Sequence, residues 1–254
     1  MDLECVIYEK KEGVAIARLN RPQVLNAMNK QLWLDLQAAL DDAREDDAIK
    51  VVVITGEGRA FSTGADLKES KNRTIEAYRD YLVSLQETSR TVIRFEKPTI
   101  AAINGFAIGS GYELALACDI RIAAEEAKIG SPEAKVTSSV TGGAFRLVQE
   151  LIGPGKAREL LFTGEYIDGV EAMRIGLVNQ AVPLNQLMDT VMQMAAKIAE
   201  NSAFSLKMIK KGLNLARGET SLEALMDFEV EACLACVSTK ERQASLTAFE
   251  DRKK

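Results

Sequence analysis

Glu113 sits where a protein usually avoids charge. It follows Tyr112 and precedes the apolar run 114–118. A carboxylate in such surroundings is rarely buried unless it is paired or put to use. A second carboxylate, Glu133, follows Gly130-Ser131-Pro132 at a strand-to-loop junction. Two carboxyl groups around one apolar cleft could pass protons, because burial and mutual repulsion raise at least one pKa towards neutrality. Taken singly, Glu133 reads as a solvated loop residue, and the spacing alone does not show that the two side chains meet.

Two glycine-rich loops follow apolar strands. The first runs Gly56-Glu57-Gly58-Arg59-Ala60-Phe61-Ser62-Thr63-Gly64-Ala65-Asp66-Leu67, and the second Asn104-Gly105-Phe106-Ala107-Ile108-Gly109-Ser110-Gly111-Tyr112-Glu113-Leu114. Glycine lets a backbone approach a ligand and turn its N–H groups outward. The second loop also opens a helix, whose first N–H groups are unpaired and whose dipole favours negative charge. The two loops could converge on one oxygen as an oxyanion hole. Two other readings stand beside this one. Gly109-x-Gly111 between strand and helix is the start of a dinucleotide fingerprint, although the third glycine position is Leu114, and no phosphate-binding Walker sequence is present. Alternatively, the glycines serve only tight turns.

The elements that must carry these groups are legible as a pattern. Residues 4–8 and 14–19 read as strands joined by a turn at Glu12-Gly13. Asn29 caps a helix over 30–44, with Leu32, Leu36, Ala39 and Leu40 on one face. The β-branched run 51–54 predicts a buried strand. A loop over 62–72 leads to a helix over 74–95, then a strand over 99–103, a turn and the helix bearing Glu113, and a strand over 119–123. After Gly142-Gly143 the chain turns mainly helical, with helices predicted over 144–151, 154–162, 169–175, 184–200, 203–217, 222–237 and 239–251. This is an α/β core over residues 1–200 followed by a helical region, 201–254, suited to packing on the core or on a second subunit.

Composition narrows the chemistry. The 254 residues contain no histidine, so Ser-His-Asp and Cys-His systems and His-ligated metals are excluded. Proton carriers must be carboxylates, Lys, Tyr or Cys with a tuned pKa. Of the four cysteines, Cys233 and Cys236 form a C-x-x-C on a helical apolar pattern with Leu225 and Phe228, which reads as a buried face rather than a redox or zinc site. No metal site is expected. A net charge of −5 gives no reason to expect nucleic acid as a partner. No apolar run reaches membrane-spanning length, and residues 1–11 do not read as a signal peptide, so a cytoplasmic location is expected.

These residues resemble the crotonase superfamily, the enoyl-CoA hydratase/isomerase family, over nearly the whole chain. The likeness rests on Leu19-Asn20-Arg21-Pro22, Leu25-Asn26-Ala27-Met28, Val53-Ile54-Thr55-Gly56, the run from Ala60 to Glu69, Lys97-Pro98-Thr99-Ile100-Ala101-Ala102-Ile103-Asn104-Gly105, Glu113-Leu114-Ala115, Cys118-Asp119-Ile120, Pro132-Glu133, Leu161-Phe162-Thr163-Gly164 and Val182-Pro183. The resemblance implies a spiral of ββα units with a C-terminal helical region, assembling as trimers or dimers of trimers. It implies an acyl-CoA thioester substrate, with coenzyme A part of the substrate and no separate cofactor.

By position, it implies that the main-chain N–H groups of Ala65 and Ser110 hold the thioester oxygen, serine standing where most relatives have glycine. Glu113 would activate the water that attacks C3, and Glu133 would protonate C2. Asn26, Ala27, Gly64, Asp66, Leu67, Gly109, Tyr112 and Thr141 fall at substrate-binding positions. The segment 134–141 departs from the Leu-Gly and Pro-Gly pattern of many hydratases. Alternatives within the fold are an enoyl-CoA isomerase or a hydratase for a branched or cyclic acyl chain. Outside catalysis, a silent scaffold or an RNA-binding relative is the alternative, and the acidic balance argues against it.

Overall fold

The computed structural model describes residues 2–70, 74–218 and 221–237. The first strands, β1 (Val6–Lys11) and β2 (Val14–Leu19), form an antiparallel hairpin. Its two turn residues, Glu12 and Gly13, both have positive φ (50° and 81°), as a two-residue hairpin demands. Helix α1 (Lys30–Glu45) begins where Asn29 accepts a hydrogen bond from the Leu32 N–H, the predicted cap.

Three strand–strand–helix units follow. They are β3 (Val51–Gly56) and β4 (Ala60–Ser62) with helices α2 (Leu67–Ser70) and α3 (Ile75–Arg94); β5 (Thr99–Ile103) and β6 (Phe106–Ile108) with α4 (Ser110–Ala117); and β7 (Ile120–Ala124) and β8 (Lys128–Gly130) with α5 (Ala144–Thr163). In each unit the first strand joins a six-stranded sheet, ordered β1-β2-β3-β5-β7-β9, and the second joins a three-stranded sheet, β4-β6-β8. The pairings between strands after the hairpin are parallel, and an isolated bridge between Ile129 and Ile167 is antiparallel. The chain thus winds as a spiral of ββα units. Then come α6 (Gly169–Arg174), β9 (Gln180–Val182), α7 (Leu187–Ala199), α8 (Ala203–Ala216) and α9 (Leu222–Val237).

Alternation along the large sheet separates two cores. Val14, Ile16, Val51, Val53, Ile100, Ala102 and Ile122 face α7 through Leu187, Val191 and Ala195. Ala15, Ala17, Leu19, Val52, Ile54, Ala101 and Ile103 face the other side, with residues of α1, α3, α4 and α5. A parallel sheet covered on both faces needs such continuous apolar strands.

The sequence pattern does not reveal β4, β6, β8 or β9. Each has three residues, too few for a period-two signal, and β4 and β6 lie inside glycine-rich loops. The two helices expected over 144–151 and 154–162 are both present within α5, separated by the non-helical backbone of Gly153 (φ 75°, ψ 160°) just before Pro154. Residues 184–186 form a single 3₁₀ turn ahead of α7. The helix expected over 239–251 lies outside the described residues, as do the side chains of Cys233 and Cys236.

Arg121, on β7, is buried beneath α4. It donates through Nη1 to the carbonyl of Cys118 (2.6 Å) and through Nε to that of Leu177 (2.9 Å). Burial pushes its pKa down, opposed in part by the Cys118 and Asp119 groups. The guanidinium meets the C-terminal end of α4, where a cation complements the helix dipole and the unpaired carbonyls. It ties the helix carrying Glu113 to the large sheet. Arg121→Leu strands these buried carbonyls and should lower stability by about 3 kcal/mol, measured by urea unfolding.

Candidate active site

The small sheet sets two loop ends side by side. β4 and β6 are parallel neighbours, with Ala60 opposite Phe106 and Ser62 opposite Ala107, so the chains leaving them, 63–65 and 109–110, emerge together. Gly64 (φ 94°) and Gly109 (φ 56°) both occupy left-handed backbone regions that glycine alone adopts readily. Their closeness also requires glycine. A Cβ on Gly64 would stand 2.9 Å from the Ile108 carbonyl oxygen and 3.2 Å from the Ser110 nitrogen.

The main-chain N–H groups at these ends are directed away from their own strands. Ala65 bridges Met28 in parallel fashion, through Met28 N–H to the Gly64 carbonyl (2.8 Å) and Asp66 N–H to the Met28 carbonyl (3.0 Å). In that pattern the N–H of Ala65 itself points to the opposite side. Ser110 is the first residue of α4, where the N–H has no partner within the helix. Both residues line a cavity of about 340 Å³, and Glu113 and Glu133 line the same cavity. Tyr78, Leu82 and Leu85 of α3 form an apolar wall.

Glu113 is 4% exposed. Burial pushes its pKa up, and hydrogen bonds from Thr141 oppose the rise. The Thr141 N–H donates to Oε1 (2.5 Å) and the Thr141 hydroxyl to Oε2 (2.7 Å). Glu133 heads a single 3₁₀ turn, Glu133–Val136, at the end of the β8 segment. The Ser131 hydroxyl donates to its Oε2. Burial, helped by the negative charge of Glu113, raises its pKa to about 7, against a lowering contribution from its own backbone N–H. The Glu133 carboxyl also reaches the second loop, since a Cβ on Gly109 would stand 2.9 Å from its Oε1. One carboxyl held by two donors and a second poised near neutrality, beside two outward N–H groups, can hold a water and move protons next to a polarised carbonyl.

A sequence model of the family described as enoyl-CoA hydratase/isomerase matches residues 9–254. The chain belongs to the enoyl-CoA hydratase/isomerase family. A crotonyl-CoA hydratase of Syntrophomonas wolfei is 36% identical over 255 residues, covering 100% of this chain and 98% of that protein. A short-chain-enoyl-CoA hydratase of Clostridium acetobutylicum is 36% identical over 256 residues, covering 100% and 97%. Among solved structures, an enoyl-CoA hydratase from Bacillus anthracis superposes with a TM-score of 0.94 at 34% identity, over 98% of this chain and 97% of that one.

Within this enoyl-CoA hydratase/isomerase fold, the other predicted site residues divide into two groups. Gly64, Leu67, Gly109 and Thr141 line the cavity with Ala65 and Ser110. Asn26, Ala27, Asp66 and Tyr112 are not part of that lining. Asn26 is fully buried and braces the first loop. Its Nδ2 donates to the carbonyls of Ala60 (2.7 Å) and Glu57 (3.0 Å), and its Oδ1 accepts from the Arg21 N–H (2.8 Å). Arg21 in turn donates to the Ala27 carbonyl and to Asp66 Oδ2 (2.9 Å). Burial acts to raise the Asp66 carboxyl, but Arg21 and the Lys68 N–H outweigh it and hold it below the usual range. Tyr112 is buried in the main core, its hydroxyl pushed up by burial.

Pattern reasoning missed Arg121 and the cavity-lining face of α3. The signal for Arg121 was a lone cation inside the apolar strand Ile120–Ala124, a charge placed where one must find partners. A second cavity, of about 310 Å³, shares Glu133, Ser138 and Ser139 with the first and is lined farther on by Val140, Phe145, Leu161 and Phe162. Among the described residues no cluster of three or more His, Cys, Asp or Glu could hold a metal ion, and no helix is long and apolar enough to cross a membrane.

Proposed function

We infer that the protein is a 2-enoyl-CoA hydratase that adds water across the C2–C3 double bond of an enoyl thioester. The observation that carries this reading is that both glutamates and both outward N–H groups line one cavity. The full-length likeness to proteins named as crotonyl-CoA and short-chain-enoyl-CoA hydratases supports the same substrate class.

In this reading the thioester oxygen accepts hydrogen bonds from the N–H groups of Ala65 and Ser110. Those donors matter most as charge develops on the oxygen, when C3 is attacked. Glu113, whose carboxylate form the Thr141 hydrogen bonds favour, takes a proton from the water as its oxygen bonds to C3. Glu133, with a pKa near neutrality, delivers its proton to C2 as the enolate collapses. The proton gained by Glu113 then returns through solvent to Glu133, so the net change is one added water. No histidine is needed, because the two carboxyl groups sit in different surroundings, Glu113 accepting two hydrogen bonds from Thr141 and Glu133 raised by burial to about 7. The only coenzyme required is the one the substrate carries, and longer acyl chains have room in the adjoining cavity beside Val140, Phe145, Leu161 and Phe162.

The reading also carries a trimeric or dimer-of-trimers assembly. Ile209 and Leu213 of α8 and Met226 and Val230 of α9 are exposed on the single chain, which suits burial against another copy.

The decisive experiment is incubation with crotonyl-CoA. Loss of the conjugated enoyl-thioester absorbance, with a product heavier by one water, supports hydration. A product of unchanged mass with a displaced double bond supports isomerisation and overturns this reading.

A further inference from the structure

We propose that Thr141 is the positioning residue that fixes Glu113 as the base of the glutamate pair. The proposal rests on the hydratase reading above and adds to it what assigns the two roles.

The local backbone is built around this contact. Gly142 (φ 58°) and Gly143 (φ 82°) form a tight left-handed turn just before α5. The Thr141 carbonyl accepts the Ala144 N–H (2.9 Å), which pins the residue from its C-terminal side. Its N–H and hydroxyl are both then presented to one carboxyl group, the N–H to Oε1 at 2.5 Å and the hydroxyl to Oε2 at 2.7 Å. The turn lies flush on its target: a Cβ on Gly142 would stand 3.1 Å from Glu113 Cβ and 2.7 Å from Ser89 Oγ. A side chain at 142 would lift Thr141 off the carboxyl.

Few other groups can do this work. Among the described residues lining the cavity there is no Lys or Arg. The titratable groups that share the cavity with Glu113 are Glu133 from the 3₁₀ turn and Tyr78 and Tyr81 from α3, and Tyr112 adjoins it on its own helix. The α5 residues nearest the turn, Ala144, Leu147 and Val148, are apolar core residues. Hydrogen bonds rather than an opposite charge therefore favour the ionised form of Glu113. An N–H can only donate, so it bonds the carboxylate, the stronger acceptor, more tightly than the neutral acid. Glu133 has the Ser131 hydroxyl as its one side-chain donor among the described residues, and burial outweighs the lowering by its own backbone N–H, so it remains the proton carrier.

The test is the pH dependence of kcat/KM for crotonyl-CoA hydration in Thr141→Val and Thr141→Ser, with Thr141→Ala as a second deletion of the hydroxyl. Valine keeps the shape and the N–H. A base is lost as pH falls through its pKa. Weakening its hydrogen bonding raises that pKa, so the acidic limb should move up by about one pH unit, a tenfold loss below the limb that vanishes at high pH. The basic limb should stay in place. Serine should restore the parent profile, and thermal melting of each variant reports folding separately. An acidic limb unmoved in the valine and alanine variants, or a serine variant as impaired as valine, overturns the proposal. Failure of the parent protein to hydrate crotonyl-CoA overturns the hydratase reading instead.

Discussion

Glu133→Gln is expected to lower kcat/KM for crotonyl-CoA hydration by about 100- to 10,000-fold, the range contributed by a positioned proton carrier. Glutamine keeps the size of the side chain and cannot deliver the proton to C2. The parent enzyme should lose hydratase activity as pH rises past about 7, because Glu133 must be protonated to act and its pKa is raised to about 7. That limb should disappear from the residual activity of the variant. The chain has no histidine, so a limb near neutrality points to a tuned carboxyl.

A second outcome follows from linkage. The folded-state pKa of Glu133 lies above the ordinary glutamate value, so ionising it costs stability in the folded protein only. The glutamine variant should therefore melt at a higher temperature than the parent at pH 8, and the difference should fade as pH drops below the ordinary glutamate pKa. A variant that is slower yet more stable at high pH identifies a group held against its own preference for catalysis.

Ser110→Pro is expected to lower kcat by about 100- to 1,000-fold, the usual effect of losing one oxyanion donor. Proline removes the N–H, and the first turn of a helix is where proline is tolerated, since that N–H has no helical partner. Gly109 precedes it and can accept the restriction proline imposes on its neighbour. Secondary structure and melting should change little. Ser110→Ala is the control: the donor is main-chain, so the alanine variant should stay within about twofold of the parent. Full kcat in the proline variant would remove Ser110 from the oxyanion hole.

Several parts of this design are written locally. Asn29 as a cap, the continuous β-run at Val51 and the apolar pattern of α1 need only their neighbours to be read. The positions of Glu113 and Glu133 are also visible, one as a charge in an apolar run and the other after a strand. Their meeting is not, because it depends on β6 and β8, three-residue strands whose pairing is set by tertiary contact. Asn26 shows the same limit. Its motif marks it as a site residue, but its amide is spent on holding Ala60 and Glu57 in place. The role of Thr141 is invisible in the sequence, since the residues it joins are 28 positions apart and only the Gly142-Gly143 turn brings them together.

The most direct measurement is exchange of the C2 hydrogens of a saturated thioester, butyryl-CoA, with deuterium oxide, followed by mass spectrometry. Hydration is impossible there, so exchange needs only the enolate held by Ala65 and Ser110 and one carboxylate that removes and returns a proton at C2. The expected result is deuterium uptake with the parent enzyme and with Glu113→Gln, and almost none with Glu133→Gln. Uptake undiminished in Glu133→Gln, or absent from the parent enzyme, would contradict the assignment of proton transfer at C2 to Glu133.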